Sequence, residues 1–215
     1  MMTTALSQPI AENIVVLNPV SWETFNQLLE ELGDKRNQRF AYDQGNLEIM
    51  SPLGEHENSN RFIDDLIRII ADELGWNLKK FGSLTLKSEA FQQGVEPDSC
   101  YYLKNEPQVR NQQSIDLTSD PPPDLVLEID ITSTSLNKFS IYANLRVPEI
   151  WQYNGQELMV FLLNPESNQY QNVTKSQVFP FLEMTLIPQF IQKSLEVGET
   201  RALREFRQWV RTHAS

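Results

Sequence analysis

The chain has 215 residues, of which 40% are hydrophobic and 22% are charged, and its formal net charge is −11. This length and composition fit one globular domain and exclude a disordered or fibrous chain. The acidic balance disfavours a protein that coats nucleic acid over much of its surface, because phosphate contacts need lysine and arginine.

The cysteine content and the terminal sequence predict a compartment and a domain organisation. The single cysteine, Cys100, excludes an internal disulfide framework and suits a reducing compartment. No apolar run approaches the roughly 20 residues that cross a bilayer, and the first residues lack a basic region followed by a hydrophobic block. We therefore expect a cytoplasmic protein with no membrane partner, in which residues 1–13 form a flexible N-terminus and residues 14–215 form a single domain.

The chain up to residue 50 predicts a helix and a hairpin. Ser21 is a candidate N-cap for a helix over residues 22–32, in which apolar residues recur at helical spacing. Two alternating runs between residues 39 and 50 predict a β-hairpin, because turn residues separate them at Asp43-Gln44-Gly45-Asn46.

Residues 55–74 predict the clearest helix of the chain, because their apolar side chains follow the helical period. This apolar stripe extends towards the N-terminus as far as Glu55 and His56. Glu55 either compensates the helix dipole in the first turn or contributes to a functional site. For His56 we expect a structural hydrogen bond.

Short strands are predicted after this helix, at residues 76–81, 83–87 and 96–103. Pro97 sits at the start of the third strand, where the sheet needs no backbone donor. The polar stretch 105–123 has no periodicity, and we expect it to be a surface excursion between two core strands.

The strand predicted at residues 124–131 is the central clue to function. Its alternation places Asp124, Glu128 and Asp130 on one face and only leucine and isoleucine side chains on the other. Crowded carboxylates repel one another unless a cation or a shared proton relieves the repulsion, and a divalent metal does this best. The acidic face therefore predicts a metal site, although for Asp124, at the start of the strand, the alternative is that it only caps a turn after the three prolines.

The rest of the chain predicts two helices and a second hairpin. Residues 132–135 supply caps for a helix over 136–146. Strands at 149–153 and 158–163 are joined by turn residues and predict a hairpin, and a final helix covers 199–211. This order of elements predicts an α/β (α+β) fold.

Four segments of this sequence resemble a known family. They are MSPLGEHENSNRFI at 50–63, VEPDSCYYL at 95–103, PPDLVLEIDITSTSLNKFSIYANLRVPEIWQY at 122–153 and LMVFLL at 158–163. The chain resembles the Uma-type family of endonucleases in the PD-(D/E)xK restriction-endonuclease-like superfamily. The resemblance implies a restriction-endonuclease-like fold, with a central mixed β-sheet flanked by helices and an αβββαβ core.

The resemblance also implies roles for individual residues. In the superfamily an aspartate and a glutamate on successive core strands hold Mg²⁺, a lysine helps to activate water, and a helical glutamate completes the site. Carried onto this chain, Asp98 and Glu128 are the metal ligands and Glu55 supports them. The chain departs from the pattern where Asp130 replaces the lysine. Either Asp130 acts as a ligand or base, or Lys138 reaches the site from the following helix, which we favour because Lys138 lies near its first turn.

The implied function is a Mg²⁺- or Mn²⁺-dependent endonuclease that hydrolyses phosphodiester bonds, with DNA favoured over RNA as the nucleic-acid partner. A homodimer would suit this activity, because cutting both strands requires two active sites. The alternative is a noncatalytic binding or assembly protein with a nuclease fold, which the acidic surface and the missing in-strand lysine favour. Metal binding that depends on Asp98 and Glu128 distinguishes the two hypotheses.

Overall fold

The structure is a computed structural model that describes residues 13–33, 36–52, 54–82, 84–130 and 136–214. Within these ranges the chain forms eleven strands and six helices. The strands are β1 (Asn13–Leu17), β2 (Arg39–Asp43), β3 (Asn46–Ser51), β4 (Lys79–Phe81), β5 (Leu86–Ser88), β6 (Gln93–Val95), β7 (Ser99–Tyr102), β8 (Leu125–Ile129), β9 (Glu149–Tyr153), β10 (Leu158–Asn164) and β11 (Gln169–Val173). The helices are α1 (Trp22–Leu32), α2 (Gly54–Leu74), α3 (Glu106–Val109), α4 (Lys138–Asn144), α5 (Leu186–Val197) and α6 (Glu199–His213).

The strands form two sheets. The first sheet has the order β1-β3-β2-β6-β5, and the second has the order β11-β10-β9-β8-β7-β4. All neighbouring strands of the second sheet are antiparallel except β8 and β9, which are parallel. A parallel pair needs a crossover connection, and α4 lies in the connection between these two strands.

The core has the order that the sequence resemblance implied. The elements α2, β4, β7, β8, α4 and β9 follow one another as αβββαβ, with β5 and β6 inserted to complete the first sheet and the short helix α3 inserted between β7 and β8. The prediction of a mixed sheet flanked by helices is therefore confirmed. No helix in the described ranges is long and apolar enough to cross a membrane.

The central strand β8 is buried on both faces because helices cover both sides of the second sheet. Its leucine and isoleucine side chains pack with α2, α5 and α6, whereas Val126 packs with residues of α4. The predicted alternation is confirmed. The strand is Leu125–Ile129 rather than 124–131, and residue 131 lies outside the described ranges.

The elements β1, β6, α3 and α5 were not predicted. The short strand β1 pairs with β3, and β6 pairs with β2. Both strands therefore depend on tertiary contacts rather than on a local sequence pattern. The helix α3 lies in the predicted surface excursion, and its Glu106 and Val109 are buried, so the prediction was wrong for this part. The helix α5 carries Pro188 in its first turn, where proline is tolerated.

Several predicted boundaries shift by a few residues. The strands predicted at 76–81 and 83–87 form only as β4 and β5, and the strand predicted at 96–103 forms as β7. Residues 1–12 and the predicted capping residues 132–135 lie outside the described ranges. The predictions for those two segments remain predictions.

Candidate active site

The carboxylates of Asp98, directly before β7, and Glu128, in β8, lie at one end of the second sheet. In the antiparallel pair β7 and β8, Ser99 is opposite Leu127, and the same register places Asp98 beside Glu128. Asp98 Oδ2 accepts a 2.8 Å hydrogen bond from the backbone N–H of Ile129. The two carboxylates are 3% and 8% exposed, so their charges are held largely out of water.

Each oxygen of Glu128 accepts a hydrogen bond from α4. Lys138 Nζ donates to Glu128 Oε2 at 2.8 Å, and the Tyr142 hydroxyl donates to Glu128 Oε1. Lys138 is the first residue of α4 and Tyr142 lies four residues later, so the two side chains share one face of the helix. The structure thus places Lys138 beside Glu128, one of the two metal ligands that the sequence resemblance implied.

Asp98 is surrounded by side chains from α2 and β2. His56 is fully buried, and its Nε2 lies 3.3 Å from Asp98 Oδ2. Arg39 Nε lies 3.9 Å from Asp98 Oδ1, and Asn60 Nδ2 donates to the Asp98 backbone carbonyl at 3.2 Å. His56 therefore contacts a candidate metal ligand, a role that the sequence did not reveal.

The two carboxyl groups have opposite pKa shifts. Burial raises the pKa of Asp98, but the hydrogen bond and charge of His56 and the charge of Lys138 outweigh it and hold the pKa below its usual range. Burial also raises the pKa of Glu128, and the charge of Asp98 adds to this, so this pKa stays above its usual range despite Lys138. The charge of Asp98 thus opposes ionisation of Glu128.

Asp130 follows β8 directly, on the same side of the strand as Glu128. Its Oδ2 accepts a 2.9 Å hydrogen bond from Gln152 Nε2 on β9. Asp130, Glu128, Lys138 and Tyr142 all line a cavity of about 370 Å³ at this end of the sheet. Asp130 is therefore near the site, and its carboxylate contacts Gln152.

Asp124 and Glu55, two further acids singled out from the sequence, differ in what the structure shows. Asp124 lies before β8, at the opposite end of the strand from Glu128, and its Oδ2 accepts hydrogen bonds from the N–H groups of Leu103 and Asn105 at 2.7 and 2.9 Å. It caps a turn. Glu55 belongs to the first turn of α2, but its side chain lies outside the described part of the structure.

Asp98 and Glu128 offer a pair of carboxylates to a divalent cation. In the described ranges, no group of three or more His, Cys, Asp and Glu side chains is arranged to hold a metal. Mg²⁺, however, is commonly held through one or two carboxylates while it keeps several waters. Asp98 Oδ1 has Arg39 no closer than 3.9 Å, beyond hydrogen-bonding distance, so lone pairs remain for a ligand contact. The donor chemistry of Asp98 and Glu128 fits Mg²⁺.

Sequence analysis missed His56 and Tyr142 as members of this site. Both lie on apolar helix faces, where the periodic pattern predicts core packing. Tyr142 is indeed buried, but its hydroxyl contacts Glu128. The spacing of Lys138 and Tyr142 was the available signal, because residues four apart on a helix point to the same neighbour.

Comparison with known proteins identifies the family. A family model named Uma2, described as "Putative restriction endonuclease", matches residues 22–198, and the chain belongs to this family. The family suggested by the four sequence segments is confirmed. No match was found among curated proteins. A crystal structure from Anabaena variabilis, described as "a putative nuclease belonging to DUF820", is similar at 12% identity and a TM-score of 0.48, covering 89% of this chain and 99% of that one.

Proposed function

We propose that this protein is a metal-dependent endonuclease that hydrolyses phosphodiester bonds in DNA, with Asp98 and Glu128 as ligands of Mg²⁺ or Mn²⁺. The observation that carries the proposal is the 2.8 Å contact between Lys138 Nζ and Glu128 Oε2. This contact places a cationic donor beside the buried carboxylates of Asp98 and Glu128, and the chain belongs to a family described as putative restriction endonucleases. The bound cation would lower the pKa of a water molecule and offset charge on the phosphate.

Lys138 acts as a donor in this proposal. Its ammonium group has three N–H donors, and the contact with Glu128 uses one. The other two are available to a water molecule and to an oxygen of the scissile phosphate. Since the cavity at this end of the sheet is lined by Lys138, a phosphate there can meet the ammonium group directly.

Two acids have supporting roles in the proposal. Asp130 lies at the same cavity with its carboxylate bonded to Gln152, where it can hold a water molecule near Glu128. Glu55 lies in the first turn of α2, one residue before His56, which contacts Asp98. A homodimer would bring two such sites to the two strands of one duplex.

The test is nicking of supercoiled plasmid with Mg²⁺ or Mn²⁺. We expect wild-type protein to nick, and Glu128→Ala and Lys138→Ala each to lose activity by a factor of about 100 or more. Lys80→Ala is the matched control, because Lys80 Nζ makes a similar pair with Asp64 Oδ2 at 3.1 Å outside the site. EDTA should abolish nicking. Full activity of Lys138→Ala would contradict the role of the lysine.

The second candidate function is a noncatalytic binding protein with a nuclease fold. One observation favours it: Lys138 and Tyr142 already occupy both oxygens of Glu128, which compensates the carboxylate without a metal. A wild-type protein that neither nicks plasmid nor binds Mn²⁺ would establish this alternative over the enzyme.

A further inference from the structure

We infer that Tyr142 is the positioning residue that holds Glu128 in place for the metal, while Lys138 is the partner that Glu128 releases to the substrate. This inference rests on the proposed function. Its basis is the difference between the two donors that α4 presents to a single carboxylate.

The first difference is how firmly each donor is anchored. The ring of Tyr142 is 1% exposed and belongs to the core cluster that contains Val126 of β8 and Ile150 of β9. Its hydroxyl sits at the end of a rigid ring with two side-chain torsions, so its position follows that of the sheet. Lys138 ends in an ammonium group on a flexible four-carbon stem and stands at the start of α4. Tyr142 is therefore the fixed donor and Lys138 the movable one.

The second difference is charge. The Tyr142 hydroxyl is neutral, so it orients Glu128 and leaves the full carboxylate charge for a cation. The ammonium group of Lys138 compensates that charge and competes with a cation for the same oxygen. A carboxylate that is to hold a metal therefore benefits from keeping the hydroxyl contact and giving up the ammonium contact.

Asp98 shows the same arrangement on the neighbouring strand. Its Oδ2 is fixed by the backbone N–H of Ile129, again a neutral donor that cannot move away from the sheet. Each candidate ligand thus has one neutral, fixed donor. Among the described residues, Asp98 has in addition His56 Nε2 at 3.3 Å, and Glu128 has in addition the ammonium group of Lys138, the group proposed to act on the phosphate.

The test compares two tyrosines of the same core cluster. Tyr142→Phe removes only the hydroxyl that contacts Glu128. Tyr102→Phe is the matched control, because Tyr102 is fully buried and its hydroxyl donates at 3.2 Å to the Pro121 carbonyl, away from the site. Calorimetric titration with Mn²⁺ should show binding weakened by about 10- to 100-fold in Tyr142→Phe and unchanged binding in Tyr102→Phe. Plasmid nicking by Tyr142→Phe should return to nearly the wild-type rate at saturating Mn²⁺.

A second variant tests the other half of the inference. In Lys138→Met, Mn²⁺ should bind at least as tightly as in wild type, whereas nicking at saturating metal should stay low. Weaker Mn²⁺ binding in Lys138→Met would show that the lysine is needed to hold the carboxylate, and would overturn the inference.

The remaining outcomes separate the inference from the proposed function. If wild type binds Mn²⁺ and nicks, and Tyr142→Phe binds equally well, the inference fails and the proposed function stands. Equal weakening in Tyr142→Phe and Tyr102→Phe would mean a purely structural role and would also overturn it. A wild-type protein that binds no Mn²⁺ would overturn both.

Discussion

Both ends of the second sheet bury two carboxylates, but the donors that satisfy them differ. At one end Asp124 accepts two backbone N–H groups, and Glu149 accepts four hydrogen bonds from neutral donors. The donors to Glu149 are Trp151 Nε1, Ser176 Oγ and the N–H groups of Gln177 and Val178, at 2.5 to 3.1 Å. Every donor at this end is neutral, and most belong to the backbone.

The other end includes one donor that can exchange partners. Among the described residues, Asp98 accepts the backbone N–H of Ile129 and has His56 Nε2 at 3.3 Å, whereas Glu128 accepts hydrogen bonds from Lys138 and Tyr142. Because the flexible Lys138 side chain can turn away, Glu128 is able to take another ligand. Burial of an acid does not by itself define a site; the mobility and charge of its donors do.

Cavity size alone does not identify the candidate active site. Asp124 and Glu149 line a cavity of about 660 Å³, larger than the cavity of about 370 Å³ at Glu128. The larger cavity borders carboxylates that are already satisfied by fixed donors, whereas the smaller one borders the lysine. We propose on these grounds that one end serves stability and the other chemistry, and three experiments test this division.

The largest effect is expected at the structural end. Glu149→Ala leaves four donors without their acceptor and should lower the free energy of unfolding by about 4 kcal/mol, measured by urea denaturation. Glu157→Ala, at an exposed position after β9, is the control and should change little. A loss below about 1 kcal/mol for Glu149→Ala would contradict the assignment of this end to stability.

The next effect concerns the ion pair at the functional end. Lys138→Met leaves the Glu128 charge buried without its cation and should destabilise the protein by about 3 kcal/mol. The double variant Glu128→Gln with Lys138→Met removes both charges and should lie within about 1 kcal/mol of wild type, since buried ion pairs add little net stability. Urea unfolding measures both variants. A double variant as unstable as the single one would show that this pair serves stability after all.

The smallest effect is expected at Cys100, an uncharged residue of β7 that lies between the two ends of the sheet. Burial raises the pKa of the Cys100 thiol to about 12, against 9.0 for an ordinary thiol. The raised pKa gives stability that is fully present below pH 9.0 and is lost as the pH rises towards about 12, because only the unfolded chain releases the proton. Wild type should therefore lose about 1 kcal/mol more than Cys100→Ala between pH 9 and 10, because the unfolded thiol is already half ionised at pH 9.

This pH dependence of the free energy of unfolding is measured by urea unfolding of wild type and Cys100→Ala at several alkaline pH values. The buried tyrosines are common to both proteins, so their ionisation cancels in the difference. Parallel loss of stability in the two proteins would show that the thiol ionises as readily in the folded chain as in the unfolded one.

The sequence predicted those features that depend on local pattern. The alternation of β8 follows from residues next to one another in the chain, and so does the placement of Lys138 near the start of a helix after that strand. The pairing of Asp98 with Glu128 came from the family resemblance, because residues 30 positions apart show no local signal of contact. The family match supports the resemblance.

The sequence separated structural acids from functional ones only in part. Asp124 and Glu128 occupy the same face of one strand; the position of Asp124 at the start of the strand suggested a turn cap, and its tertiary donors identify it as one. The donors of Glu149 come largely from residues 176–178, far along the chain in a stretch without periodic pattern. The contacts of His56 and Tyr142 with the carboxylates could not be predicted for a related reason. A polar atom at the end of a buried side chain leaves the apolar pattern of its helix intact.

The most direct measurement is a calorimetric titration of Mn²⁺ into wild type, Asp98→Asn and Asp124→Asn. Each substitution replaces one carboxylate oxygen of a buried aspartate by an amide nitrogen. The two aspartates lie at opposite ends of the strand pair β7 and β8. The division between the two ends predicts that wild type and Asp124→Asn bind Mn²⁺ and that Asp98→Asn does not. Binding retained in Asp98→Asn, or lost in Asp124→Asn alone, would contradict it.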